Sequence, residues 1–156
     1  MHTEESKFEV FVSGFSSTVE EWRRALKAPA SELPRLNQEQ RDVAKKFGIS
    51  EQEYARGYLA GLYGQERLRQ RGTELGKAVE GILAGLAPGH RLSAMVAEVT
   101  KLRWVARIHT PEKPVNVAIP RELADDIVDS NTIQDQEKLK VLVLTSLGHP
   151  GLISKR

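Results

Sequence analysis

The pattern of hydrophobic and polar positions divides the chain into a helical first part and a second part that contains strands. Residues 7–13, KFEVFVS, alternate apolar and polar side chains as a short strand does. Ser17 and Glu20 form a predicted capping box, and Pro88 with Gly89 stops the helical pattern. Between these points, helical spacing predicts four helices, over residues 17–28, 37–48, 51–71 and 73–87.

Beyond Gly89 the hydrophobic period changes from that of a helix to that of a strand. Strands are predicted over residues 92–99, 101–110 and 115–119, and the last two form a hairpin. A short helix is predicted over 121–129. Residues 137–147 fit either a buried helix or a buried strand, and Gly148 at the position of a C-cap favours the helix.

These elements predict an α+β fold. A mostly helical N-terminal part would pack with a small antiparallel sheet, built on the hairpin 101–119, and with C-terminal helices. The length suits a single domain over residues 1–156, and the change of pattern near Pro88 suggests an alternative subdivision into 1–88 and 89–156.

The composition narrows the chemistry that this chain can perform. It has no cysteine, which excludes disulfides and thiolate catalysis and suits a reducing compartment. Its apolar runs are far shorter than the roughly 20 residues that span a bilayer. The polar N-terminal residues MHTEESK do not resemble a secretory signal. We therefore expect a cytoplasmic protein that does not associate with membranes.

Motifs for catalysis or cofactor binding are missing from the pattern. Residues 72–78, GTELGKA, lack one residue between the glycines and the hydroxyl residue that a phosphate-binding loop needs. The histidines are far apart and do not pair at metal-ligand spacing: His2, His90, His109 and His149. We expect no catalytic residue, no metal and no cofactor.

Four carboxylates gather on one face of the predicted helix 121–129, at positions Glu122, Asp125, Asp126 and Asp129. Clustered carboxylates can bind a divalent cation. The same spacing is typical of the solvated face of an amphipathic helix, and we interpret the cluster in that way.

Residues 40–59, QRDVAKKFGISEQEYARGYL, resemble a helix-turn-helix. Ala44, Gly48, Ile49 and Ser50 occupy the positions of the small residue, the turn glycine, the apolar residue and the cap. The resemblance implies DNA binding by the second helix. A helix hairpin that serves only for packing is the alternative.

Residues 113–147 contain a segment, VNVAIPRELADDI at 115–127, that resembles the strand-to-helix junction of ribbon-helix-helix repressors. The resemblance implies that two chains pair these strands and read DNA through the outward positions Asn116 and Ala118. The alternative is an ordinary strand-to-helix junction, in which proline and an acidic residue favour the first turn of the helix and no DNA binding is implied.

Three glycines, Gly57, Gly61 and Gly64, lie on one face of the predicted helix 51–71. Each interior glycine costs about 1 kcal/mol relative to alanine, so their spacing requires a reason. Either another helix crosses closely at these glycines, or the helix breaks near Gly64, or the face docks a partner helix. Arg67, Arg69 and Arg71 suit the negative end of this helix.

The strongest functional pattern is in residues 101–110, KLRWVARIHT. Even positions from Leu102 to Ile108 are apolar, whereas the odd positions place cations on the opposite face of the strand. The predicted basic ribbon consists of Lys101, Arg103, Arg107 and His109, extended by Lys113 and Asn116. An ordinary solvated sheet face is the alternative interpretation.

Taken together, these patterns predict a non-enzymatic protein-interaction or regulatory domain that acts through a helical face and the basic ribbon. Its partner would be another protein or a second copy of the chain. A DNA-binding transcriptional regulator is the alternative. The net charge of +2 does not by itself argue for nucleic acid.

Overall fold

The computed structural model describes residues 8–148. The elements in chain order are β1 (Glu9–Ser13), α1 (Val19–Lys27), a 3₁₀ turn (Ala30–Glu32), α2 (Gln38–Lys46), α3 (Glu51–Leu83), β2 (Arg91–Glu98), a second 3₁₀ turn (Val99–Lys101), β3 (Arg103–His109), β4 (Pro114–Pro120), α4 (Arg121–Asp129) and α5 (Ile133–Ser146). The predicted α+β class is confirmed. Residues 137–146 belong to helix α5, which is the alternative that Gly148 favoured.

The four strands form one sheet in the order β1-β2-β3-β4. The hairpin of β3 and β4 is antiparallel as predicted, and β2 is antiparallel to β3. The sheet as a whole is mixed and not antiparallel throughout, because β1 runs parallel to β2. Alternation within a strand carries no information about direction, and the long helical connection between β1 and β2 permits the parallel arrangement.

Helix α3 is a single helix of 33 residues, whereas the sequence predicted two helices with a break near Gly72. A Cβ on Gly72 would lie 2.6 Å from Val10 and 2.7 Å from Trp104, so this glycine is needed for close packing and does not end the helix. Thr73 donates its hydroxyl hydrogen bond to the Arg69 carbonyl four residues earlier instead of capping a new helix.

The chain folds into two compact units. Residues 15–67 form one, and residues 8–14 with 68–148 form the other, so that α3 contributes to both. Their boundaries lie at Gly14 and Leu68, whereas the alternative division suggested by the sequence lies near Pro88.

In the unit 15–67, the start of α1 differs from the prediction. Thr18, not Ser17, is the N-cap, and its capping box is closed by Glu21. The Ser17 hydroxyl instead donates to the Ala60 carbonyl of α3 at 2.9 Å. A small cluster of buried residues holds this unit together and consists of Ala25, Ala28, Leu59 and Ala60.

In the other unit, the core lies on one face of the sheet, called here the inner face. Three helices cover it, since buried residues of α3, α4 and α5 join the same cluster as the strand residues. Trp104, Ala106 and Ile108 of β3 point into this core, as the alternation predicted. The opposite, outer face of the sheet carries the polar positions of the strands.

Candidate interaction surfaces

The basic ribbon lies on the outer face of the sheet. Arg103, Arg107 and His109 alternate with the core residues of β3. Val105 lies on the same face as the cations, but it is only 9% exposed. Lys101 and Leu102, which were predicted to belong to this strand, lie before it. Leu102 adopts a left-handed conformation after the second 3₁₀ turn, and its side chain is 58% exposed instead of buried.

Strand register arranges the outer face in rows that run across the sheet, with adjacent strands about 4.8 Å apart. A central row is apolar, and a row with polar side chains lies on each side of it. The rows are Phe11, Val96, Val105 and Ala118; Glu9, Ala94, Arg107 and Asn116; and Ser13, Glu98, Arg103 and Pro120.

The apolar row is the feature of this surface that the sequence reasoning missed. Phe11 is 46% exposed although it occupies the middle of β1. Val96 and Val105 sit in a shallow depression of about 300 Å³, which residues of β2, β3 and β4 line. The signal was present in the sequence, because Phe11 falls on the polar side of the alternation in KFEVFVS.

Positive charge prevails over this depression. Arg103 donates a hydrogen bond of 2.5 Å to the Glu98 carboxylate. The pKa of Glu98 lies below its ordinary value, first because of this bond and further because of the charges of Lys101 and Arg107. Among the described residues, no carboxylate bonds the Arg107 guanidinium directly, although its charge acts on Glu98.

The remaining ribbon residues lie at the hairpin end of the same face. His109 is exposed and pairs in register with Arg91 and Pro114. Lys113 is exposed in the turn, where its carbonyl accepts bonds from the amide and the hydroxyl of Thr110. Asn116 stands beside Arg107 on β4.

Strand β4 is an edge strand with few free donors. The Thr110 amide donates to the Lys113 carbonyl, and the Arg121 amide donates to the Leu102 carbonyl, which establishes which residues of β4 bond to β3. The alternate residues direct their backbone polar groups away from β3, toward the open edge of the sheet: Pro114, Asn116, Ala118 and Pro120. Proline has no N–H, which leaves two edge donors. The strand-helix-helix order of the ribbon-helix-helix resemblance is present, with the strand paired to β3 of its own chain.

The helix-turn-helix resemblance corresponds to α2, a turn over residues 47–50, and the start of α3. Gly48 has the positive φ of +71° that the turn needs. Ser50 and Glu53 form a capping box at the start of α3. The first turn of the would-be recognition helix therefore presents Glu51 and Glu53, both exposed.

The glycine face of α3 is occupied by other residues of its own unit. A Cβ on Gly61 would lie 2.8 Å from the Phe15 ring, and one on Gly57 would lie 3.3 Å from the Trp22 ring. At Gly64 the added Cβ would collide with the Ser16 backbone carbonyl. Helix α3 continues without a break through Gly64, and the glycines serve the close approach of the segment 15–22.

The aromatic rings on the glycine face form a second exposed surface. Phe15 is 63% and Trp22 43% exposed, although both rest on α3. They line a groove of about 390 Å³ together with Ile49, Tyr54, Tyr58, Gly57 and Glu53. Sequence reasoning located the glycines but not the aromatic surface that they support.

Two arginines of α3 make ion pairs in place of the helix-dipole role that the sequence suggested. Arg67 bonds Glu21 at 2.8 Å. Arg71 bonds Asp125 and Asp129 of α4, both at 3.0 Å, so the Arg71 guanidinium neutralises part of the carboxylate cluster. The hydrogen bond from Arg71 is the main reason that the pKa of Asp129 is lowered.

Within residues 8–148, no group of three or more histidine and carboxylate side chains is placed to hold a metal ion. His2 and His149 lie outside the described residues. In the same part of the chain, no helix has the length and apolar character needed to cross a membrane. No protein-family model matches the chain, and no curated protein or solved structure matches it either.

Proposed function

We propose that the protein is a non-enzymatic interaction domain that binds an acidic segment of a partner protein across the outer face of its sheet. The observation that carries the proposal is the apolar row, in which Phe11 is exposed and Val96 and Val105 line the depression, beside Arg107, which no carboxylate of the described residues bonds directly. Protein interfaces combine an apolar centre with a polar rim, and aromatic residues and arginine are enriched in them.

The arginines suit carboxylates well. A guanidinium presents a planar set of donors that can bind a carboxylate with two parallel bonds. Arg103 is held in place by Glu98, which reduces the entropy lost on binding, while Arg107 lacks a carboxylate of its own in the described chain. A partner with an acidic residue beside an apolar one satisfies both features of the surface.

Duplex DNA fits the same surface less well. The centre of the face consists of Val105, Val96 and Ala118, whose side chains offer no hydrogen bond to a base edge. At the helix-turn-helix-like hairpin, Glu51 and Glu53 would meet phosphates with like charge. DNA binding is therefore an alternative outcome that the experiment has to distinguish.

The test is selection of a displayed library of random peptides on the full chain, followed by titration of the selected peptides. We expect sequences in which acidic residues flank an apolar one. Arg107→Glu is expected to weaken their binding about tenfold or more, since it replaces attraction with repulsion. Arg35→Glu is the matched control, because Arg35 is an exposed arginine of the other unit.

Two results would overturn the proposal. One is peptide binding that Arg107→Glu leaves unchanged while the variant keeps the circular dichroism and melting temperature of the parent. The other is tight binding of random duplex DNA with a steep dependence on salt, which is the signature of several phosphate contacts. The second result would favour the regulator that the two resemblances imply.

A further inference from the structure

Helix α1 exposes its large apolar side chains. Val19, Trp22 and Leu26 follow the spacing of one helix face, and they are 65%, 43% and 59% exposed. The only residue of this helix that is buried is the small Ala25. An amphipathic helix normally turns its largest apolar residues to the core. The exposed apolar face of α1 therefore indicates a contact with something other than the described residues.

The helix is fixed in this orientation by its opposite side. The Arg56 guanidinium donates bonds of 2.9, 3.1 and 2.7 Å to the carbonyls of Ala25, Leu26 and Ala28, which lie at the end of α1. Arg67 holds Glu21 at the start, and Arg24 lies over the Tyr63 ring. With both ends tied to α3, the helix cannot roll to bury its apolar stripe without losing these bonds.

The exposed apolar face of α1 continues into the aromatic groove. Phe15 precedes α1 and lies beside Trp22, because Gly61 and Gly57, against which the two rings rest, are one helical turn apart on α3. Phe15, Val19, Trp22 and Leu26 thus form one surface, the α1 stripe, with the groove along its side.

The charged residues of α1 indicate which partner the α1 stripe can bind. The charges of α1 that remain for a partner are Glu20 in its first turn and Lys27 in its last turn, since Glu21 is bonded to Arg67 and Arg24 lies over the Tyr63 ring. Glu20 pairs with Arg23 of the same helix at 2.9 Å, and an exposed pair of this kind contributes little stability of its own. When two identical helices pack antiparallel, the acidic start of each faces the basic end of the other, and their dipoles oppose favourably. A second copy of this chain therefore matches the stripe both in apolar character and in charge.

We infer that the α1 stripe is the contact between two copies of the chain, related by a two-fold axis with the α1 helices antiparallel. Trp22 lies near the axis, Val19 meets Leu26 of the second copy, and Glu20 faces Lys27 of the second copy. This contact belongs to the unit 15–67 and does not depend on peptide binding by the outer face of the sheet. Each surface can fail its test without affecting the other.

The first experiment is sedimentation equilibrium of the full chain over a wide range of concentrations. We expect a monomer–dimer equilibrium in which Leu26→Glu raises the dissociation constant about tenfold or more. Leu26 is largely exposed, so the substitution spares the fold. Ile133→Glu is the matched control: Ile133 is an equally apolar residue, 77% exposed, on α5.

The second experiment tests the antiparallel arrangement. Glu20→Lys and Lys27→Glu each place like charges opposite one another and are expected to weaken the dimer about tenfold. The double variant Glu20→Lys/Lys27→Glu restores opposite charges and is expected to recover the dimer. In a parallel dimer, residue 20 would meet residue 20, and the double variant would show no recovery.

A chain that remains monomeric at the highest concentrations overturns the inference. So does a dimer that Leu26→Glu leaves intact, or one that Ile133→Glu dissociates equally well. A dimer that responds to Leu26→Glu but shows no charge recovery overturns the antiparallel arrangement and leaves the α1 stripe as the contact.

Discussion

Arg67 on α3 donates a hydrogen bond of 2.8 Å from its Nε to the carboxylate of Glu21, which lies 46 residues earlier on α1. A second nitrogen of the same guanidinium donates to the Ser16 carbonyl at 3.1 Å. Burial raises the pKa of Glu21, but the bonds from Arg67 and Thr18 outweigh it and leave the pKa below its ordinary value. The ionised carboxylate is therefore favoured in the folded chain.

This ion pair predicts a stability that depends on pH. A carboxyl whose pKa is lowered by folding stabilises the protein above its unfolded pKa, and the effect is lost as the pH falls through the folded pKa. Arg67→Met is expected to lower the free energy of unfolding at neutral pH by about 1–2 kcal/mol, and by less as the pH drops below the ordinary pKa of a glutamate.

Urea unfolding of the parent and the Arg67→Met variant across this pH range measures the difference. Arg69→Met is the control, since Arg69 lies two positions away on α3 with an exposed side chain. A difference between Arg67→Met and the parent that stays constant from neutral to acid pH would contradict the role assigned to the Glu21 carboxylate.

The glycines of α3 predict opposite effects of the same substitution at two positions. Gly64→Ala gains helix propensity but drives a Cβ into the Ser16 carbonyl, so we expect a net loss of about 2 kcal/mol or more. At Gly81 an added Cβ meets nothing within 4 Å, and Gly81→Ala is expected to stabilise by up to about 1 kcal/mol.

Thermal unfolding of the two variants provides the measurement. If Gly64→Ala melted at or above the temperature of the parent, the segment around Ser16 would not approach α3 as closely as described. If Gly81→Ala were destabilised, the space beside Gly81 would be filled by another part of the molecule.

Local patterns of the sequence were sufficient for most of the secondary structure. The hairpin and the helix 121–129 could be predicted because alternation, helical spacing and proline act over a few residues. The continuity of α3 at Gly72 could not be predicted, because it depends on Val10 and Trp104, which pack against that glycine from distant parts of the chain.

Each candidate surface likewise combines features that the local sequence predicts with features that depend on the tertiary structure. The cations of β3 were visible in the alternation of residues 101–110, but the row that joins Val105 to Phe11 depends on strand order and register. Likewise, the spacing of Val19, Trp22 and Leu26 predicts a helix face, and no local rule states that this face stays exposed.

Two phenylalanines of the N-terminal strand region are expected to behave differently. Phe8 is 6% exposed and packs into the core against Gly76, whereas Phe11 is 46% exposed on the outer face. Phe8→Ala is expected to cost about 3–4 kcal/mol. Phe11→Ala is expected to cost only about 1 kcal/mol, because nearly half of the residue's surface stays exposed to water.

Chemical unfolding of both variants tests this assignment of faces. The same Phe11→Ala variant is expected to lose binding of the selected peptides while it stays folded. Equal destabilisation by the two substitutions would mean that the outer face is not exposed, and the proposed function would lose its apolar anchor.

Replacement of Glu98 is expected to strengthen the binding of the selected peptides. It is the carboxylate that bonds Arg103, and it lies in register between Ser13 and Arg103 on the outer face. Glu98→Gln removes a negative charge from a surface proposed to bind acidic segments, while the amide can still accept the bond from Arg103. We expect the selected peptides to bind a few-fold more tightly, with a steeper dependence on salt.

Glu9→Gln on β1 is the control farther from the arginines, and we expect a smaller gain from it. Weaker binding by Glu98→Gln would show instead that holding Arg103 in place outweighs the net charge of the face.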